Sequence, residues 1–371
     1  ICSEGMVRLA LAAAAALAMA GEAAAFLPTS LPTSNTGRGA AAVNGASALR
    51  CADKRVQIIT DIDDTVKSSG GVRLLGRVGP ALGGIDTQYK RNDFYPGVFQ
   101  FGAEVANFGK PANLPPAPVA VLTARARELK VFLALKPKTK LVVAYRKAAE
   151  DLYKTFGVGE PNWGVDCENT VLYGSVAEWI VQSRKGWRKF DNFKKLREQN
   201  DGRTEYVLVG DTGEQDQQCG EWMARDYPDE VRGLFFHKVD ENEWPDKTVL
   251  LPADTQVNGV PVLFFRTYVG AARKAFETEL IGAKELIRVV NTAQEELSGV
   301  DKSDLKWSDL SADVDLAVIS LGQALKPQAP AGGKTEAAVQ AGAASSSKEI
   351  EAGPDAPKKK SWFRRVVLRQ S

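Results

Sequence analysis

The sequence predicts a doubly wound, mostly parallel α/β sheet. Three observations carry that expectation: short apolar runs rich in β-branched residues recur along the chain, helical patterns lie between them, and two of the runs end in carboxylates and glycines. Runs that are apolar at successive positions belong to strands buried on both faces, and parallel strands need a crossover segment between them. With 371 residues, the chain is long enough for one such domain with tails, or for two domains.

The folded region is expected to begin near Val56. Strands are expected at Val56 to Thr60, Val119 to Leu122, Thr170 to Tyr173 and Tyr206 to Val209, and further ones at Leu234 to His237 and Val262 to Phe265. Amphipathic patterns predict helices around Val98 to Phe108, Arg127 to Leu135, Arg146 to Phe156, Phe190 to Arg197 and Gln217 to Arg225. One long charged helix is expected from Ala271 to Leu297. The α/β domain therefore spans 53–250, and the strand and helices of 251–325 pack on it or beside it. Residues 136–169 have no expected role.

Charge and composition exclude several functions. The chain has 48 basic and 46 acidic residues, interspersed along its length, so no broadly basic nucleic-acid surface is expected. His237 is the single histidine, which rules out chemistry needing two imidazoles on one chain, such as paired-histidine zinc sites. Coming straight after a strand, it reads as a structural residue. Cys2, Cys51, Cys167 and Cys219 show neither CxxC spacing nor scaffold density and read as reduced thiols. The tryptophans read as core, with Trp163, Trp179 and Trp187 in a less regular region.

The ends have their own compositions. From Met6, a basic residue, an apolar run from Leu9 to Ala20 and small residues to Ala25 read as a signal peptide, too short to span a membrane. The acid-poor, hydroxyl-rich stretch up to 52 then reads as a transit segment, and the whole as a bipartite presequence resembling those that lead to algal plastids. A plain secretory signal with a linker is the alternative. Residues 326–357 read as a disordered linker. The tail at 358–371 has six basic residues and no acid beside Trp362, Phe363, Val366, Val367 and Leu368, which suits an anionic membrane surface or simply a solvated end.

Chemistry concentrates at two strand ends. The first reads Ile58-Ile59-Thr60-Asp61-Ile62-Asp63-Asp64-Thr65-Val66-Lys67, which sets Asp61 at the strand mouth with Asp63 turned back over it. Two such carboxylates can hold a hard cation and divide the labour of nucleophile and general acid, or merely cap a turn. The second reads Val209-Gly210-Asp211-Thr212-Gly213-Glu214-Gln215-Asp216, again carboxylates after an apolar run. Thr123 follows a third strand, and Lys185 and Lys189 lie ahead of the fourth. Between Ser68 and Asp93 a glycine-rich stretch with Arg73 and Arg77 reads as a lid or as a plain surface loop.

The order DxDxT, strand-Thr, Lys, strand-GDxxxxD resembles the haloacid dehalogenase phosphohydrolase superfamily. More narrowly, DIDDTVK, the segment from Phe94 to Phe101 and VLVGDTGEQD look like the catalytic domain of the fungal actin-patch phosphatidate phosphatases, related to the lipins, over roughly Val56 to Val239. The resemblance implies a Rossmannoid sheet with a small lid insertion and a C-terminal helical extension. It implies Asp61 as nucleophile, Asp63 as acid and base, Thr123 as a phosphoryl donor and Lys189 as the neutralising cation, with Lys185 in competition. For magnesium it implies Asp61, the backbone carbonyl of Asp63 and Asp211, with Asp216 orienting that shell.

The expected activity is magnesium-dependent hydrolysis of a lipid phosphate such as phosphatidate. Thr123-Ala124-Arg125 leaves room for a soluble phosphometabolite or a phosphoprotein. A module that senses phosphatidate without hydrolysing it is a third reading, disfavoured by the Asp61 and Asp63 pair.

Overall fold

Seven strands, β1 (Arg55–Thr60), β2 (Ala120–Ala126), β3 (Val171–Gly174), β4 (Thr204–Asp211), β5 (Val231–His237), β6 (Thr255–Val257) and β7 (Val260–Phe265), form one sheet ordered β3-β2-β1-β4-β5-β7-β6. Every pairing is parallel except β6 with β7. The helices are α1 (Val98–Asn107), α2 (Lys140–Phe156), α3 (Lys185–Gln199), α4 (Asp216–Asp226), α5 (Tyr268–Glu277), α6 (Ala283–Glu296) and α7 (Leu305–Ala324). This computed structural model describes residues 53–70, 86–126, 134–174, 185–212, 215–239 and 250–324.

Successive strand residues divide between two cores, as a two-residue period requires. Ile58, Val121, Val207 and Phe235 pack with α1, α2, α5, α6 and α7. Their neighbours Ile59, Leu122, Leu208 and Phe236 pack with α3 and α4. Burial on both sides is why these strands read as continuous apolar runs rather than as alternation.

All six expected strands are present. The segment after 250 belongs to the same sheet and core, since β7 pairs with β5, and Val269, Leu286 and Leu310 share a core with Val56 and Phe101. Residues 136–169 supply α2 and the return to β3, held by Trp163 Nε1 donating to the Ala117 carbonyl at 2.7 Å. Of the tryptophans, Trp187 departs from the expectation of core by being 55% exposed.

The long helix expected from Ala271 to Leu297 is instead two, α5 and α6. Glu279 adopts a left-handed φ of 59°, and the amide of Leu280 closes back on the Ala275 carbonyl at 2.8 Å, ending α5. Gly282 then restarts the chain, its amide donating to the Glu285 carboxylate at 3.1 Å. β6 and α7 are additional. β6 and β7 meet at Asn258-Gly259, with φ of 49° and 81°, the left-handed pair that a two-residue hairpin needs.

All ten residues of α1 are buried, polar Gln100, Glu104 and Asn107 included. Buried polar groups must be paired. The guanidinium of Arg288 on α6 grips the Glu104 carboxylate at 2.6 and 2.7 Å, and burial still raises the Glu104 pKa. At the helix start, the Gly97 amide donates to the Glu296 carboxylate at 2.7 Å, so α6 caps α1 from almost two hundred residues away.

Most of the expected helix from Arg127 to Leu135, the presequence, the glycine-rich stretch 71–85, Trp179, the linker and the tail lie outside the described residues.

Candidate active site

The sheet order decides where the carboxylates meet. From β1 the chain moves outward through β2 to β3, then returns to the other side of β1 as β4, which makes the β1/β4 boundary a topological switch point. Thr60 pairs with Val209 across that boundary, so Asp61 and Asp211 emerge side by side at the carboxyl edge. The Asp61 amide donates to the Val209 carbonyl at 3.2 Å, fixing that level.

A third carboxylate comes from the first residue of α4, Asp216. One oxygen from each of Asp61, Asp211 and Asp216 lies within 4.8 Å of the others, and all three residues are buried. Lys189, in the first turns of α3, is buried with them. Its Nζ lies 3.0 Å from Asp61 Oδ2 and also donates to Asp216 Oδ1. Asp216 Oδ2 in turn accepts from the Asp211 amide at 3.2 Å. Lys189 thus bridges two of the three carboxylates.

Gly210 is required for this packing. A Cβ there would stand 2.5 Å from Asp216 Cβ and 2.6 Å from its Oδ2. Gly210→Ala is therefore expected to push Asp216 out of place and weaken divalent-cation binding by about 10- to 100-fold, the usual cost of disturbing the groups that orient metal ligands. Titration calorimetry with magnesium on the folded variant checks it, and unchanged affinity rejects it.

The structure thus joins Asp61, Lys189, Asp211 and Asp216, and Asp216 stands among the clustered carboxylates rather than behind them. Of the two candidate lysines, Lys189 is the one seen against Asp61; the Lys185 side chain lies outside the described residues. Thr123 is buried on β2 two residues past Val121, the partner of Thr60, and so reaches the same edge. Asp63 stands outside the cluster of three, its side chain 36% exposed and 3.5 Å from Lys67 Nζ.

Behind the site, residues 62–69 form a tight loop turned by Asp64, whose φ is 57°. The buried Asp64 carboxylate accepts from the Ser69 amide at 2.8 Å and from the Ser69 hydroxyl at 2.9 Å. Tyr268 Oη donates to the Thr65 carbonyl at 2.8 Å. Asp64 lay in the motif, but its supporting part had no signal beyond being one more acid than DxD requires.

His237 has the structural part expected of it. Its Nδ1 is 2.8 Å from the Asp64 carbonyl and its Nε2 is 3.0 Å from that of Arg266. Burial, with the Arg266 charge adding to it, pushes the ring pKa down to about 4. An unfolded chain, with this imidazole near its ordinary 6.5, binds the extra proton first, so stability is full above about pH 6.5 and falls as pH drops through about 4. The loss is expected to reach about 3 kcal/mol. With one histidine in the chain, the proton NMR titration is unambiguous: a ring titrating near 6.5 in the folded protein rejects the assignment.

The donors are all carboxylate oxygens, which suits a hard divalent cation. Cys219 is buried on α4, and burial raises its thiol pKa well above the ordinary value, so it offers neither a soft ligand nor a nucleophile. The chain matches no protein-family model, no curated protein and no solved structure.

Proposed function

We propose that this chain is a magnesium-dependent phosphohydrolase of the haloacid dehalogenase type, acting through an aspartyl phosphate on Asp61, with a lipid phosphate such as phosphatidate as its substrate. The observation that carries the reading is a lysine buried against a carboxylate at a strand end, Lys189 to Asp61 at 3.0 Å, beside two further buried carboxylates within reach of a single ion. A simple structural ion pair needs no such gathering of acids.

In this reading Asp61, held by the Lys189 ammonium, attacks phosphorus, and the P–O bond to the leaving group breaks. Asp63, less buried and nearer solvent, gives its proton to the departing oxygen. It then takes a proton from water as that water attacks the aspartyl phosphate, which releases phosphate and restores Asp61. Thr123 donates to a phosphoryl oxygen from the same sheet edge. Magnesium held by Asp61, Asp211 and Asp216 would supply the charge neutralisation that a dianionic phosphoryl group demands. None of these roles needs the one histidine, which is committed to backbone carbonyls.

The basic, aromatic tail at 358–371 would hold the enzyme at an anionic membrane, where such a substrate resides, and the presequence reading would place that membrane in a plastid. A phosphate-release assay comparing dioctanoyl phosphatidate with small sugar phosphates, with and without magnesium, tests the function. Magnesium-dependent release from phosphatidate is expected. Preference for sugar phosphates moves the reading to a soluble metabolite, and release from neither overturns it.

A further inference from the structure

A groove of about 900 Å³ runs over α1 between α2 and α6. Its lining follows α2 from Lys140 to Phe156, a helix of 17 residues and so about 25 Å long. Phe94 and Phe99, edge to face at 4.8 Å, form its floor with Leu152 and Leu297. Along the lips, among the described residues, four cations such as Lys140 and Lys147 face four carboxylates such as Asp151 and Glu295. The formal balance is zero. A polyanion or polycation would find as much repulsion as attraction there, whereas a long neutral body with an apolar side finds complementary walls.

One end of the groove comes up against the Asp63 loop through Asn92. Asn92 lines it, and Asn92 Oδ1 accepts from Lys67 Nζ at 2.5 Å. That same ammonium lies 3.5 Å from Asp63 Oδ1. The backbone pins the junction, since the Asn92 amide donates to the Ser68 carbonyl at 2.8 Å and the Ser68 amide to that of Asp93 at 2.8 Å. A single lysine head therefore separates the groove wall from the carboxylate that meets the leaving oxygen.

We propose that this groove receives the organic part of the phosphomonoester, an elongated amphiphile whose alkyl body lies along α2 with its ester oxygen at the Asp63 end, and that Ala144 and Ala148 set its width. The inference rests on the phosphohydrolase reading and adds where the leaving group lies. Both alanines line the groove one helical turn apart, and neither touches the carboxylate cluster. A large ring at either position would fill the space, and both positions lie within the reach of an extended twelve-carbon chain anchored at the Asp63 end.

The experiment measures kcat/KM with magnesium for phenyl phosphate and for dodecyl phosphate below its micellar concentration, alongside calorimetric binding of dodecyl phosphate. It uses the full chain and its Ala144→Trp and Ala148→Trp variants. Each variant is expected to lose at least about tenfold on dodecyl phosphate, through KM, and to keep its rate on phenyl phosphate. Equal losses on both substrates, or none on either, overturn the groove while leaving the phosphohydrolase standing. If wild type hydrolyses neither ester, the reading of function falls, and binding decides the groove: affinity for dodecyl phosphate weakened in both variants keeps it as an amphiphile site, and unaltered affinity removes it.

Discussion

Asp61→Asn is expected to lower phosphate release by at least about a thousandfold while the protein stays folded, because a covalent nucleophile has no substitute elsewhere in the site. The amide keeps the shape of the carboxylate and a carbonyl oxygen for Lys189, which lies 3.0 Å from Asp61 Oδ2 in the native protein. It also removes one of three clustered negative charges, so the burial penalty falls rather than rises. Thermal melting and kcat/KM separate the two effects. An unchanged melt with activity gone supports the assignment, and full activity in the variant rejects it. Asp63→Asn differs in kind: Asp61 should still be phosphorylated by activated esters with good leaving groups, while phosphatidate, whose leaving alkoxide needs a proton, should be inert. Turnover of phosphatidate by that variant would remove Asp63 from its role.

Stripping the metal is expected to abolish activity outright and reversibly. With Asp61, Asp211 and Asp216 drawn together, EDTA leaves three buried carboxylates facing the point where, in this reading, a dianion must arrive. Millimolar magnesium should restore turnover and raise the melting temperature, since an ion that binds only the folded state stabilises it by about 2.7 kcal/mol at a hundred times its dissociation constant. Zinc should not replace it, because no imidazole or thiolate stands among the donors. Recovery with micromolar zinc alone, or activity that persists in EDTA, contradicts the site.

Legibility in the sequence followed the range of the forces involved. Asp61, Asp211 and Lys189 were readable because each lies at the mouth of an apolar strand or in the helix leading to one, and strand periodicity is written locally. The break between α5 and α6 was not, since Thr278, Glu279 and Leu280 differ little in composition from a helix; only the left-handed φ of Glu279 and the Gly282 restart end it. The burial of Glu104 against Arg288 and the capping of Gly97 by Glu296 depend on partners about 190 residues apart in sequence, which no local pattern encodes. The hairpin at Asn258-Gly259 did carry a local signal, the Asn-Gly pair itself.

The capping of α1 by Glu296 also has a meaning in time. The contacts that complete the loop after Asp61 span long stretches of chain, with Thr65 to Tyr268 across 203 residues and Asp64 to His237 across 173. A ribosome that has released every motif residue through Asp216 has still not released the hydroxyl that holds Thr65 or the carboxylate that caps α1. Closing such distant pairs is slow. A nascent chain thus carries all its acids well before it can arrange them, and a fragment ending at 250 would keep the signature while lacking β7 and the helices that close the core around it.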